Sequence, residues 1–204
     1  MNLSDTTKEI FKSIPEAIIP NSKDEQLIRQ HRTLLASYEN EMVTGFYDTV
    51  YGDKNLKDHL TSTERKMREQ TLREWYQVTI NGNFDEYYWN WQVFVGIVHV
   101  KHHVPNAAML SMWGWMMSFF QRNLLNDLET EEAIKVLTVL QKLQAVVTSL
   151  SVESFIMTRK KAIYLASGLN EKILSRLVSV EIDKLLQQGR ENLMLSVEPQ
   201  QIAA

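Results

Sequence analysis

Between positions 104 and 121 the chain carries no charged side chain. Met109, Met112, Trp113, Trp115, Met116, Met117, Phe119 and Phe120 fill that stretch and point to every side of a helix. A helix that is apolar all round needs neighbours on more than one side, whether other helices or lipid. Pro105, Asn106, Ser111, Gly114 and Ser118 interrupt the run, and it is barely long enough to cross a bilayer. It therefore reads as a helix in the middle of a helical core. One edge is available to line a flat ligand while the other pairs with a neighbouring helix or a second subunit.

The rest of the chain is patterned to supply those neighbours. Seven glycines and four prolines are few, and no Asn-Gly or Asp-Gly pair sits between alternating runs, so the periodicity is helical throughout. A short helix is expected at about 4–13, capped by Ser4 or Asp5 and stopped by Pro15. After a connector at 18–22, one helix starts near Asp24 and carries Leu27, Leu34 and Leu35; a second carries Met42, Phe46, Tyr47 and Val50. A helical turn at 56–60 leads to the capping cluster Thr61-Ser62-Thr63-Glu64. The helix at 64–80 places Met67, Thr71, Trp75 and Val78 near one stripe, and Gly82 ends it. The helix at 85–103 spaces Tyr88, Trp91, Val95, Val98 and His99 by three and four. The longest helix begins at Thr130 and breaks at Ser167-Gly168. An amphipathic helix from about 170 to 186 or beyond shows Ile173, Leu177, Val180 and Leu185, before a loose tail at 196–204.

Composition removes several chemistries. The 204 residues include no cysteine, which excludes disulfides, thiolate zinc sites, iron–sulfur clusters and cysteine nucleophiles. A formal net charge of -3 does not suit a nucleic-acid-binding domain. Positions 1–15 lack the apolar run of a secretory leader, and a cytoplasmic location is expected. No Gly-x-Ser-x-Gly elbow, Gly-rich phosphate loop or His-Glu-x-x-His motif is present, so hydrolase and kinase chemistry have no support.

The five histidines are His31, His59, His99, His102 and His103. His99 ends an apolar run, Trp91-Gln-Val-Phe-Val-Gly-Ile-Val-His. A histidine on an apolar face is either a core residue bonded to backbone or a neutral nitrogen ligand for iron. His99 with His102 or His103 has the spacing of a zinc or copper pair, although no acid stands close in sequence to complete it. His102 and His103 also suit a solvated helix end. Tyr47 lies on a core helix, where a buried hydroxyl needs a partner.

The order of several motifs adds to this. Phe46-Tyr47-Asp48 is followed by the helix with Gln70 and Trp75, then Asn81-Gly82-Asn83-Phe84-Asp85, then Gly96-Ile97-Val98-His99 and Val104-Pro105. The chain resembles the sensor-globin family, comprising the haem domains of globin-coupled sensors, single-domain sensor globins and protoglobins, over about 22–158. Two departures stand out: His103 occupies a place where family members often have glycine, and Ala107-Ala108-Met109 begin a helix that often starts with an aromatic.

The resemblance implies an all-α globin fold, with an extra N-terminal helix and connector over 1–21, a globin domain over 22–160 and a C-terminal helical extension over 161–204. It implies haem b, with His99 as the proximal iron ligand and its second ring nitrogen donating to a backbone carbonyl. Tyr47 and Thr71 would offer hydroxyls to a bound diatomic gas. Phe46, Met67, Arg68, Trp75, Val95, Val98, Met109 and Trp113 would complete the pocket. The expected partners are the gas, a second copy through the helices at about 105–126 and 130–166, and a separate signalling protein at the last helix, with neither nucleic acid nor membrane. A haem-free interaction module and a haem-dependent oxygen or nitric oxide enzyme are the rivals. The enzyme would need an acid–base group, for which only Arg68 is near, and Arg68 otherwise reads as part of a solvated helix face.

Overall fold

The computed structural model describes residues 2–54, 56, 64–168 and 171–194. The regular structure among them is entirely helical: α1 (Leu3–Phe11), a 3-10 turn (Glu16–Ile18), α2 (Ser22–Gln30), α3 (Arg32–Ser37), α4 (Glu39–Gly52), α5 (Arg65–Ile80), α6 (Glu86–Lys101), α7 (Asn106–Asp127), α8 (Thr130–Ser167) and α9 (Glu171–Met194). Beyond Leu56, the turn expected at 56–60, with His59, lies outside the described residues. So do Thr61, Ser62 and Thr63 of the capping cluster and the tail at 196–204.

Helix starts follow side-chain capping more closely than apolar spacing does. Asn2, rather than Ser4 or Asp5, caps α1: its side-chain oxygen accepts from the Ser4 and Asp5 amides at 2.9 and 3.4 Å. Asn21 and Asp24 form a reciprocal capping box, so α2 begins before Asp24. The helix expected to run on through Leu35 is divided at His31 into α2 and α3. Asp85 caps α6 by accepting from the Tyr88 amide at 2.9 Å.

By its contacts the chain divides into two compact units, Met1–Thr158 and Arg159–Ala204. In the first, α7 buries Met112, Met116, Phe119, Phe120 and Leu124, and α8 answers with Val136, Leu143, Val146 and Leu150. Each such side chain removed from water contributes about 1.5–3 kcal/mol. By length and composition alone α8 is apolar enough to cross a membrane, but 56% of its apolar window is buried inside the protein, as in a core helix. In the second unit, α9 exposes Ile173, Leu177, Val180 and Leu185.

Three contacts position α6, the helix that carries His99. On one side α1 packs against it, with Phe11 edge-on to Trp89 at 5.6 Å and the Thr7 hydroxyl donating to Asn90 at 2.6 Å. On another, Gly96 lets the α6 backbone approach α8 so closely that an added Cβ would strike Ser154 Oγ and the Ser151 carbonyl oxygen. The turn before α6 is closed by Gly82, whose φ of 61° is left-handed and whose missing Cβ would lie 2.6 Å from the Glu25 carbonyl oxygen of α2.

Candidate functional site

Helices α4 to α7, with α8 at one wall, enclose a cavity of about 230 Å³. From α4 come Phe46, Tyr47 and Val50; from α5, Arg68, Thr71, Leu72 and Trp75; from α6, Trp91, Gln92, Val95 and His99. Val104, Pro105 and the α7 residues Ala108, Met109, Met112, Trp113 and Met116 close the far side, with Leu56, Val147 and Ser151 completing the wall. A larger hollow of about 570 Å³ between α1, α7 and α8 is lined by Glu9, Glu153 and several serine and aliphatic residues, and holds no histidine.

Of the pocket residues expected from the sequence, nine line the cavity: Phe46, Tyr47, Arg68, Thr71, Trp75, Val95, His99, Met109 and Trp113. Met67 and Val98 do not. Met67 is 60% exposed. The inward stripe of α5 is Arg68, Thr71, Leu72 and Trp75, which keeps Thr71 and Trp75 of the expected stripe and has Arg68 and Leu72 in place of Met67 and Val78. Val98 fails for a different reason: α6 is apolar on all sides, so spacing alone does not separate the face carrying Val95 and His99 from its neighbour.

The His99 imidazole is the single histidine among the described residues of the wall. Its Nδ1 is buried and makes no hydrogen bond, which leaves one ring nitrogen unclaimed. Burial, helped by the nearby His102 and by the Arg68 charge, pushes its pKa down to about 4, and the ring is neutral at pH 7. His102 points elsewhere and accepts from Arg68 Nη2 at 3.4 Å, while His103 is exposed. Among the described residues no three His, Asp or Glu side chains converge as metal ligands, so His99, His102 and His103 form no three-ligand cluster.

The two hydroxyls are already engaged. Tyr47 donates to the Arg68 carbonyl at 3.0 Å, and burial raises its pKa, so it is a neutral donor. Thr71 lies toward the exposed rim and donates to the Met67 carbonyl at 3.0 Å, one turn back. Arg68 is not on a solvated face: its side chain is 15% exposed, its Nη2 pairs with Glu64 at 2.7 Å, and its Nε is buried with no acceptor.

Gln92 is the group that apolar patterning misses. It is fully buried in α6. Its Oε1 accepts from Trp75 Nε1 at 2.9 Å, its Nε2 donates to the Tyr88 carbonyl at 3.1 Å, and its own carbonyl accepts from Ser151 Oγ at 3.2 Å. Trp75 is thereby held edge-on to Trp113, with ring centroids 5.5 Å apart. The available signal was a lone amide in an apolar run, which must find partners when buried.

A family model described as Protoglobin matches residues 16–161, well over half of the chain. The chain belongs to the protoglobin family. Among solved structures it is similar to the globin domain of a Geobacter sulfurreducens globin-coupled sensor. The two share 17% identity with a TM-score of 0.59, over 66% of this chain and 90% of that one. No curated protein matches the chain. The all-α globin fold with an N-terminal helix before it and a helical extension after it is therefore the fold of this protoglobin.

Members of a globin family generally carry haem, and the cavity can be tested for it. The donor set fits: one neutral imidazole, with a buried ring nitrogen that nothing else claims, in an otherwise apolar and aromatic wall. The volume fits only with movement. About 230 Å³ is below the ~300–1,000 Å³ of sites for sizeable ligands, so a tetrapyrrole would fit only if the cavity walls moved apart.

Proposed function

We propose that this protoglobin holds haem b in the α4–α7 cavity, binds a diatomic gas there and serves as a sensor. The observation that carries this reading is the neutral His99 imidazole at an apolar cavity wall, with Nδ1 unpartnered. His99 would supply the axial nitrogen; Phe46, Trp75, Val95, Met109 and Trp113 would supply the apolar contact. Bound there, haem supplies an iron that takes oxygen, carbon monoxide or nitric oxide reversibly. The chain's own part is to exclude water with aromatic and Met side chains and to present the Tyr47 O–H. That O–H stays protonated and so remains a donor, and it would turn from the Arg68 carbonyl to a ligand at the cost of the bond it now makes.

The sensing part rests on the similarity to a domain of a globin-coupled sensor. Assembly fits the same reading. Leu110, Leu125 and Ile134 are exposed on α7 and α8, the pair proposed to form a homodimer, and the apolar side chains of α9 are offered to a separate signalling partner in the cytoplasm. The rival with a specific observation behind it is the haem-free interaction module, favoured by the small cavity. An absorption spectrum of the purified protein, then reduced, then exposed to carbon monoxide, separates the two. A Soret band that moves with carbon monoxide and is lost in His99→Ala supports the proposal, and a protein with no such band after incubation with hemin refutes it.

A further inference from the structure

Arg68 is unusual among the cavity's residues. Among the described residues that line the cavity it is the one permanently charged side chain, and none of them is a carboxylate. Its Nη2 is committed to Glu64 at 2.7 Å and reaches His102 Nδ1 at 3.4 Å. Its Nε–H, by contrast, is buried without an acceptor. An N–H donor of a guanidinium shut away from water is costly to leave unpaired, and a guanidinium never sheds its charge to escape that cost. The Arg68 charge also acts on both facing groups, Tyr47 of α4 and His99 of α6. Two further hydroxyls, those of Thr71 and Ser151, belong to the same wall.

From this arrangement we infer that the cavity is a binding site for a small monovalent anion, held by the Arg68 Nε–H. Such an anion supplies the acceptor that the Arg68 Nε–H lacks. It is small enough to enter about 230 Å³, and it is drawn to a guanidinium whose carboxylate partner, Glu64, is 37% exposed and so screened by water. A neutral gas gains far less from Arg68, so the residue sets preference between ligand classes. The inference rests on the cavity being a ligand site, as proposed above, but not on the cofactor being present.

Fluoride is the probe, and two measurements are made on wild type, Arg68→Met and Arg68→Lys, purified as full chains. The first is the rise in melting temperature on adding sodium fluoride, which needs no haem. The rise is expected in wild type, smaller in R68K and absent in R68M. The second, on protein with a Soret band, is fluoride affinity of the oxidised form relative to carbon monoxide affinity of the reduced form. That ratio should fall by about ten- to a hundredfold in R68M, the range for a hydrogen bond from a charged donor. Equal fluoride responses in wild type and R68M overturn the inference, as does an R68M protein that merely loses haem with its fluoride response intact, since Arg68 would then hold a carboxylate of the cofactor. A protein with no Soret band but an Arg68-dependent fluoride response defeats the haem proposal and leaves this one standing.

Discussion

Removing one oxygen atom from Tyr47 tests the gas-binding proposal quantitatively. In the structure its O–H already donates to the Arg68 carbonyl at 3.0 Å. To serve a bound gas it must give up that bond. A hydrogen bond to dioxygen carrying partial negative charge contributes about 1.5–3 kcal/mol, and the bond surrendered about 1 kcal/mol. The net gain is about 0.5–2 kcal/mol, so Tyr47→Phe should speed oxygen dissociation by about 2- to 30-fold, less than the tenfold or more expected of an idle hydroxyl. Carbon monoxide, a weaker acceptor, should dissociate at a rate changed by less than twofold. Stopped-flow replacement of oxygen by carbon monoxide gives the first rate, and replacement of carbon monoxide by nitric oxide the second. The gas-free protein should lose about 0.5–1.5 kcal/mol of stability, read from urea unfolding. An unchanged oxygen rate in a destabilised variant would show that Tyr47 serves only the Arg68 carbonyl, and the donor role would fall.

Other expectations concern the frame around the cavity. Gly96→Ala forces a methyl into Ser151 and Ser154 and should cost about 1–3 kcal/mol in urea unfolding; a neutral result would mean that α6 and α8 are not in backbone contact. His103→Gly should stabilise by about 0.5–1 kcal/mol, because His103 has a φ of 54° at a helix end, where glycine is relaxed; a loss of stability would point to a contact made by the imidazole. Haem-free protein should lose stability as pH falls from 6.5 toward 4. The unfolded His99 takes up a proton across that window while the folded ring, with its depressed pKa of about 4, does not. The amount is about 3 kcal/mol or less, and His99→Leu should flatten that part of the pH profile in denaturant titrations.

Apolar periodicity made the long elements legible. The breaks at Gly82, Pro105 and Gly168 fall where expected, because turn chemistry there is local. What sequence could not weigh was competition between local and distant partners. The division at His31 separates two pieces that an uninterrupted apolar pattern joins. On α5, hydrophobicity favours Met67 inside and Arg68 outside. Tyr47 takes the Arg68 carbonyl and Glu64 takes part of its guanidinium, and the helix settles with Arg68 inward and Met67 out. Leu72 then faces the cavity beside Thr71. His103 is legible in reverse: the departure from glycine marks a backbone angle that glycine favours, and the chain keeps the angle without the residue.

The fastening of α6 is uneven along its length. Gln92 ties it to Trp75 and Ser151, and at Gly96 it lies flush against α8. Past that point, from Ile97 to His103, no hydrogen bond of comparable reach to another described residue holds it except the long one between His102 and Arg68. A guest too thick for the closed slot should therefore wedge the jaws at the His99 end, pivoting about the Gln92–Gly96 turn, with the twisted corner at His103 as the piece that gives.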